Sequence, residues 1–178
     1  QDANHKMRDH GWHKSGNGAR VFYTAIDLGL DYRDLEQRVS KFLFECGKPL
    51  AGVFHFAGHY ERKQISQLGE KAFADAIRAK VQGSIHLHRV LKSLATEVET
   101  PTFLHFGSVA SFFAGHGLAA YSGSCAFQEL FSEYQRADGI ESRVYVWSIW
   151  EETGIGGRDR TLGFAPWVCP IDKSQGLF

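Results

Sequence analysis

Three features are missing from this 178-residue chain: a net charge, a long apolar run and a signal-peptide pattern. Its 20 basic residues are balanced by 20 acidic ones, so no overall field draws it to nucleic acid or to an anionic membrane. The absence of a run of about 20 apolar residues excludes a membrane-spanning helix, and no stretch has the pattern of a secretory leader. We therefore expect no nucleic-acid partner, no membrane partner and a length of one domain.

Cysteine is scarce, and histidine is not arranged for metal binding. Cys46, Cys125 and Cys169 are odd in number and have no C-x-x-C spacing, which argues against a disulfide framework and favours a reducing compartment, the cytoplasm. His86 and His88 alternate on a predicted helix and therefore point to different faces, which makes them a poor metal pair. The sequence predicts no metal site.

Two glycine-containing motifs are also missing. A dinucleotide-binding fold opens with a strand and a glycine-rich turn, whose amides hold the pyrophosphate at the start of a helix. Gly16 and Gly18 precede a predicted strand instead of following one, and the glycines of 154–157 lie in a polar stretch after the last clear strand. Both are predicted to be ordinary turns. No G-x-S-x-G elbow surrounds Ser108, which argues against a serine hydrolase.

What the chain does contain is a serine and a tyrosine thirteen residues apart, Ser108 and Tyr121. The apolar run 102–107 has no helical period and predicts a buried parallel strand that ends at Ser108, at the edge where ligands bind. From Ala120 onward apolar residues recur at helical spacing, which places Tyr121 in the first turn of a long helix. Two hydroxyls presented to one carbonyl suit a reduction, provided that a cation lowers the phenol pKa. Taken alone, the pair is equally consistent with a strand-end hydroxyl and an ordinary helix residue.

Three blocks of sequence resemble a known family in order and spacing. They are GVFHFAGHYERKQISQLGEKAFADAIRAKVQGSIHLHRVL, LHFGSVASFFAGHGLAAYSGSCAFQELF and RVYVWSIWEETGI. They resemble the ketoreductase domains of modular polyketide and fatty acid synthases, a branch of the short-chain dehydrogenase/reductase family, over about 19–178. The resemblance implies an α/β fold with a Rossmann-like, doubly wound parallel sheet. It implies one partial domain over 1–178, with a core at 19–150 and a lid and C-terminal segment at 151–178.

The resemblance also implies the catalytic residues. Tyr121 matches the proton donor, Ser108 matches the hydroxyl that orients the carbonyl, and Lys80 matches the lysine that supplies the cation. Cys125 stands four residues after the tyrosine, where this branch usually has an asparagine. A thiol donates and accepts hydrogen bonds weakly, so the role of Cys125 in fixing the lysine or relaying a proton is in doubt.

The implied cofactor is NADPH, and five residues match positions that contact it. Asp27 matches the aspartate beside the adenine, although an ordinary aspartate at a strand end would look the same, and Leu28 follows it. Ala57 and Gly58 match the alanine-glycine turn beside the ribose. The family's tryptophan-glycine pair after the sixth strand corresponds here to Trp147 and Ser148. A side chain at Ser148, in place of glycine, is expected to crowd the nicotinamide.

The two fingerprints of product stereochemistry are absent. Tyr60-Glu61-Arg62 occupies the place of the leucine-aspartate-aspartate signature, and Phe113 occupies the place of the tryptophan of the opposite type. The configuration of the product cannot be read from this sequence.

Four strands are predicted, at 20–26, 51–57, 102–107 and 143–147, and by resemblance they are the third to sixth of a sheet ordered 3-2-1-4-5-6-7. The first two strands would lie between the third and the fourth, and without them buried strand edges stay unpaired. Because Gln1 is also not an initiator methionine, we expect an excerpt of a longer polypeptide, or missing strands supplied by another segment. Helices are predicted at 34–46, capped by Gly47, and at 70–94, with Lys80 near the middle.

Two functions from different classes follow. The first is an active reductase that acts on the β-ketone of an acyl chain tethered by phosphopantetheine to an acyl carrier protein, beside other domains of the same megasynthase. The second is an inactive pseudo-reductase that serves as a structural or docking element, in which Cys125 and Ser148 mark relaxed constraint. Retention of Tyr121, Ser108 and Lys80 favours the first. A free-standing short-chain reductase is a weaker third reading.

Overall fold

The computed structural model describes residues 13–14, 20–21, 24–60, 62–150 and 168–176. None of the helices in these ranges is long and apolar enough to cross a membrane. A short 3-10 turn covers Ile65–Gln67. The elements, in chain order, are β1 (His13–Lys14), β2 (Arg20–Val21), α1 (Tyr32–Cys46), β3 (Gly52–His55), α2 (Glu70–Arg78), α3 (Val81–Leu94), β4 (Thr102–Ser108), α4 (Ala110–Phe113), α5 (Ala119–Ala137), β5 (Glu141–Trp147) and α6 (Lys173–Gly176).

The centre of the fold is a three-stranded parallel sheet in the order β3-β4-β5. Helices α3 and α5 pack on one face of this sheet, and α1 packs against α3. The residues at positions 103, 105 and 107 of β4 point into that helical layer and are buried. Phe103, Leu91 and Ile140 form the apolar core between the layers. Parallel strands joined through helices confirm the predicted α/β fold class.

The other face of the sheet is aromatic and open to solvent. Phe54 is 62% exposed and Phe56 is 67% exposed. Phe56 stacks on Phe106 with ring centroids 3.8 Å apart, and Phe106 lies beside Tyr145 at 5.7 Å. Among the described residues, the helical layer therefore covers one face only.

The strand predicted at 20–26 is corrected by the structure. Only Arg20–Val21 is extended, and it pairs antiparallel with His13–Lys14 instead of joining the parallel sheet. Residues 24–27 form no strand, and residues 22–23 lie outside the described ranges. A strand needs a neighbour for its backbone N–H and C=O groups. In the predicted order this run is an edge strand that pairs only with the second strand of the family sheet, and the described residues offer it no parallel partner.

The helix predicted at 70–94 is two helices. The helical ladder is interrupted at Ala79 and Lys80, so Lys80 lies at the junction between α2 and α3 and not inside a helix. The Ser84 hydroxyl donates to the Lys80 carbonyl. Such side-chain bonds to a carbonyl one turn back bend helices. Ala79 and Lys80 keep right-handed helical backbone angles through the break, and the Lys80 side chain is buried there.

Helix α1 agrees with its sequence signals. It begins two residues before the predicted start at position 34, because the Asp31 carboxylate accepts from the Arg33 amide at 2.9 Å and caps the first turn. It ends at Gly47, whose φ of 64° is left-handed and whose amide donates to the Leu43 carbonyl. The predicted cap at Gly47 is confirmed.

Candidate active site

The predicted serine and tyrosine meet at the carboxyl edge of the sheet. Ser108 is the last residue of β4, and Tyr121 lies in the first turn of α5. The Ser108 side chain lies beside the Tyr121 hydroxyl and favours its ionised form, and the Ser108 Oγ accepts from the Ala110 amide at 3.2 Å. The connecting loop turns at Gly117, whose φ is +75°, and glycine adopts this conformation without strain. Two hydroxyls are thus held side by side at the edge where ligands bind parallel sheets.

Lys80 reaches the same site from the junction of α2 and α3. Its side chain is buried, and its Nζ donates to the Phe106 carbonyl at 2.7 Å and to Gln128 Oε1 at 3.0 Å. The Nζ lies 5.9 Å from the centroid of the Tyr121 ring. Burial lowers the pKa of Lys80, because desolvation disfavours the ammonium form. The structure therefore brings together the three residues predicted as proton donor, orienting hydroxyl and cation.

The phenol of Tyr121 holds its proton firmly in the resting site. Burial is the largest cause that raises the pKa of Tyr121 far above its ordinary value, and the neighbouring Ser108 hydroxyl opposes that shift. A neutral phenol is a proton donor and not a base. The cation expected to lower the pKa of this phenol does not do so in the resting site, because burial outweighs the opposing effects.

Cys125 also faces the site, as predicted. It lies one helical turn after Tyr121 on α5, is completely buried, and lies close enough to the Tyr121 hydroxyl to affect its pKa. Burial raises the pKa of the Cys125 thiol, while the nearby Lys80 ammonium lowers it. The thiol contacts the proton donor, but the acceptor that holds Lys80 on this helix is the carboxamide of Gln128.

Sequence reasoning missed Gln128 and the position of Tyr60. Gln128 lies seven residues after Tyr121, and this spacing on the same helix face was the one signal that could have identified it. The Tyr60 ring packs edge to face on the Tyr121 ring, with centroids 5.4 Å apart. Phe113 is 54% exposed at the end of α4, and Glu61 lies outside the described residues.

Two histidines lie in the interior next to Lys80. His55 on β3 and His105 on β4 are buried with ring centroids 6.2 Å apart. Burial is the main cause that lowers the pKa of each to about 4, and the Lys80 charge acts in the same direction. His105 Nε2 lies 2.7 Å from Gln135 Oε1. Both rings are therefore neutral at physiological pH.

Three of the predicted cofactor residues line one cleft of 610 Å³: Asp27, Leu28 and Ala57. The Asp27 carboxylate accepts from the Gly29 amide at 2.8 Å and so fixes its own turn. The Leu28 carbonyl lies 3.2 Å from His86 Nδ1, which anchors the loop on α3. The cleft walls are formed by the loop after residue 26, the end of β3 and α2.

Gly58 and Ser148, the other two predicted cofactor residues, do not line this cleft. A Cβ added at Gly58 would lie 3.2 Å from Lys80 Cε, so the absence of a side chain lets the backbone approach the lysine closely. Ser148 follows β5 and does not line the 610 Å³ cleft. Its hydroxyl donates to the Cys169 carbonyl at 2.6 Å, which ties the strand end to the segment at 168–172.

The histidines singled out in the sequence have separate partners. His86 contacts the Leu28 carbonyl, and His88 Nε2 lies 3.3 Å from Asp138. No group of three metal-ligating side chains occurs within the described ranges.

Comparison with known proteins adds the family. The family model described as KR domain matches residues 3–152. The chain is 31% identical over 133 residues to polyketide synthase GfsA of Streptomyces halstedii, covering 72% of the chain and 2% of that synthase. It is 31% identical over 145 residues to erythronolide synthase EryA3 of Saccharopolyspora erythraea, covering 80% of the chain and 4% of that synthase. The chain thus spans a small part of the curated relatives that it matches.

A solved structure with the same fold is the ketoreductase domain from the bacillaene assembly line. It aligns with a TM-score of 0.71 and 25% identity, covering 90% of this chain and 39% of that one. The first ketoreductase of the tylosin polyketide synthase aligns with a TM-score of 0.60 and 26% identity over 74% of this chain and 26% of that one. The chain belongs to the KR domain family and is similar to ketoreductases of polyketide synthases.

Proposed function

We propose that the domain reduces the β-keto group of an acyl chain to a β-hydroxyl group with NADPH. The acyl chain would be tethered by phosphopantetheine to an acyl carrier protein, beside other domains of one cytoplasmic megasynthase. The convergence of Tyr121, Ser108 and Lys80 at one end of the sheet carries this proposal. The matched relatives are polyketide synthases, which supports the choice of a β-ketoacyl substrate.

In this proposal, Ser108 and Tyr121 bind the substrate carbonyl oxygen between their hydroxyl groups. The cofactor, when bound, supplies the hydride. Tyr121 donates its phenolic proton to the oxygen as negative charge develops there, which is general acid catalysis. The Lys80 ammonium, 5.9 Å from the ring, stabilises the phenolate that remains. Ser108 keeps the oxygen within reach of the phenol.

The residues present fit the adenosine end of a nicotinamide cofactor. The cleft lined by Asp27, Leu28 and Ala57 has a volume of 610 Å³, which falls within the range of small-molecule sites. The glycine at position 58 leaves its backbone exposed beside Lys80. We propose that these residues hold the adenosine and the ribose. We propose that Ser148 also contacts the cofactor. Its hydroxyl donates to the Cys169 carbonyl.

The proposal is tested in the complete domain with a β-ketoacyl thioester and NADPH. Wild-type protein should bind NADPH in a fluorescence titration. In the presence of the thioester it should oxidise NADPH, which is followed by the loss of absorbance at 340 nm. Tyr121→Phe should bind NADPH with the same affinity and lose turnover by about 10²-fold or more, because the proton donor is gone. Near wild-type turnover in Tyr121→Phe would refute the assignment. Absence of NADPH binding in the wild type would favour the pseudo-reductase instead.

A further inference from the structure

Gln128 is an uncharged polar residue in the interior of the domain. It lies on α5, its side chain is completely buried, and its Nε2 has no hydrogen-bond partner among the described residues. Burying a carboxamide is unfavourable unless its groups are paired. Most buried positions of this helix are polar, and they include a second glutamine, Gln135, so the place of Gln128 is explained by its contacts and not by burial alone.

The reason lies in its contact with Lys80. Gln128 Oε1 accepts from Lys80 Nζ at 3.0 Å, and the Phe106 carbonyl accepts from the same Nζ at 2.7 Å. These are the two acceptors that the described residues offer the ammonium group. Two acceptors from different elements fix the direction of the Nζ, whereas one acceptor would leave the side chain able to rotate. The contact to Gln128 is charge-assisted and therefore stronger than a neutral hydrogen bond.

The helix face explains why the carboxamide is found at this position. Gln128 follows Cys125 by three residues and Tyr121 by seven, so all three share one face of α5. Family resemblance places a carboxamide at position 125, and here a thiol stands there. A thiol is a weak acceptor. Gln128 presents the same chemical group to the lysine from about one turn further along the helix.

We infer that Gln128 is a positioning residue that holds Lys80 in place and so supplies the carboxamide function that Cys125 lacks. This inference deepens the proposed reductase function and rests on it for its effect on turnover. Its effect on Lys80 itself does not depend on the reaction. Gln128 acts through the lysine and contacts no reacting group.

Four titratable groups face the Lys80 ammonium. Tyr121 and Cys125 lie on α5, and His55 and His105 lie on the sheet. Both histidines are neutral near pH 7, because burial lowers their pKa to about 4. A change in the pKa of Lys80 therefore reports on its hydrogen bonds and not on the titration of a neighbouring histidine.

The test uses Gln128→Met, which keeps the shape of the side chain and removes both polar groups. The pKa of Lys80 is measured by NMR of ¹³C-labelled lysine in the complete domain, with the signal assigned from Lys80→Met. Loss of a charge-assisted acceptor should lower the pKa of Lys80 by about one. The kcat should fall about tenfold, its pH profile should move, and KM should stay the same.

Gln135→Met is the matched control. Gln135 is another buried glutamine on α5, seven residues further on, and its contacts are to His105 and Ser142. This variant removes the same group from the same helix but should leave the pKa of Lys80 and the pH profile of kcat unchanged. An equal change in both variants would mean a merely structural role for Gln128 and would overturn the inference.

Two further variants should raise the pKa of Lys80 relative to Gln128→Met. In Gln128→Glu a carboxylate replaces the amide, so the pKa of Lys80 should rise. Adding Cys125→Asn to Gln128→Met should restore at least part of both the pKa of Lys80 and kcat. If the wild-type domain oxidises no NADPH, the proposed function fails, and the lysine titration still decides the role of Gln128. An unchanged pKa of Lys80 in Gln128→Met and Gln128→Glu would refute that role.

Discussion

As the pH falls, protonation linked to two buried histidines should destabilise this domain before the carboxylates are protonated. His55 and His105 are each at most 2% exposed, and burial lowers the pKa of each to about 4 from 6.5. In the unfolded chain both rings return to a pKa of about 6.5. The unfolded state therefore binds more protons between pH 6.5 and pH 4, and stability is complete above pH 6.5 and is lost as the pH falls through this window.

The magnitude follows from the two pKa values. Between pH 7.5 and pH 5 each histidine should remove about 2 kcal/mol from the free energy of unfolding, which is about 4 kcal/mol for the pair. Such a loss is a large fraction of the 5–15 kcal/mol typical of a domain. Urea unfolding of the complete domain at several pH values, followed by circular dichroism, measures this loss directly.

His105→Phe separates the two contributions. The ring at 105 stacks on Phe103 at 4.3 Å, which phenylalanine can also do, and Gln135 Oε1 keeps its bond from the Ser142 hydroxyl at 2.8 Å. The variant should lose about half of the pH dependence. A free energy of unfolding that is flat between pH 7.5 and pH 5 in the wild type would show that the histidines are not buried and neutral.

Three further predictions concern the site and the core. Lys80→Met should lower turnover in the NADPH assay by about 10²-fold and change the pH profile of kcat, because the cation beside the phenol is lost; an unchanged profile would remove Lys80 from the site. Cys125→Asn and Cys125→Ala should both change turnover on a β-ketoacyl thioester little, because Gln128 already holds Lys80 and the alanine removes only a weak hydrogen-bonding group; a large loss in Cys125→Ala would show that the thiol is essential. Phe103→Ala should cost about 3–5 kcal/mol in urea unfolding at pH 7.5, because the ring is completely buried in the core; a cost below about 1 kcal/mol would contradict this packing.

The strand, loop and helix that carry Ser108 and Tyr121 could be predicted from the local sequence. Ser108 and Tyr121 belong to one continuous strand-loop-helix unit, so a short apolar run followed by helical periodicity was enough to bring their hydroxyls together. Lys80 is distant in sequence, and its place beside them came from family resemblance and not from periodicity. Its contact with Tyr121 depends on tertiary packing.

The parts that could not be predicted depend on distant partners. The apolar period of 70–94 continues across the break at Ala79, so periodicity predicts one helix. The break accompanies the burial of Lys80, whose acceptors Phe106 and Gln128 come from other elements. The strand predicted at 20–26 has suitable residues, but a strand also requires a neighbour, which no propensity reveals. A single glutamine in a helix gives no sign in sequence that it contacts a lysine.

The assembly of the site across the contact between α5 and the sheet has a consequence for how such domains diversify. The hydroxyl of Ser108 comes from the sheet, and Tyr121 and Gln128 come from the helix packed on it, so their spacing is set by the core. Local opening that separates these groups requires the same free energy as unpacking the core. Side chains outside it, such as Phe112 at 69% exposure, can be exchanged without disturbing that spacing. Mutations at such exposed positions can therefore accumulate without changing the spacing of the three groups.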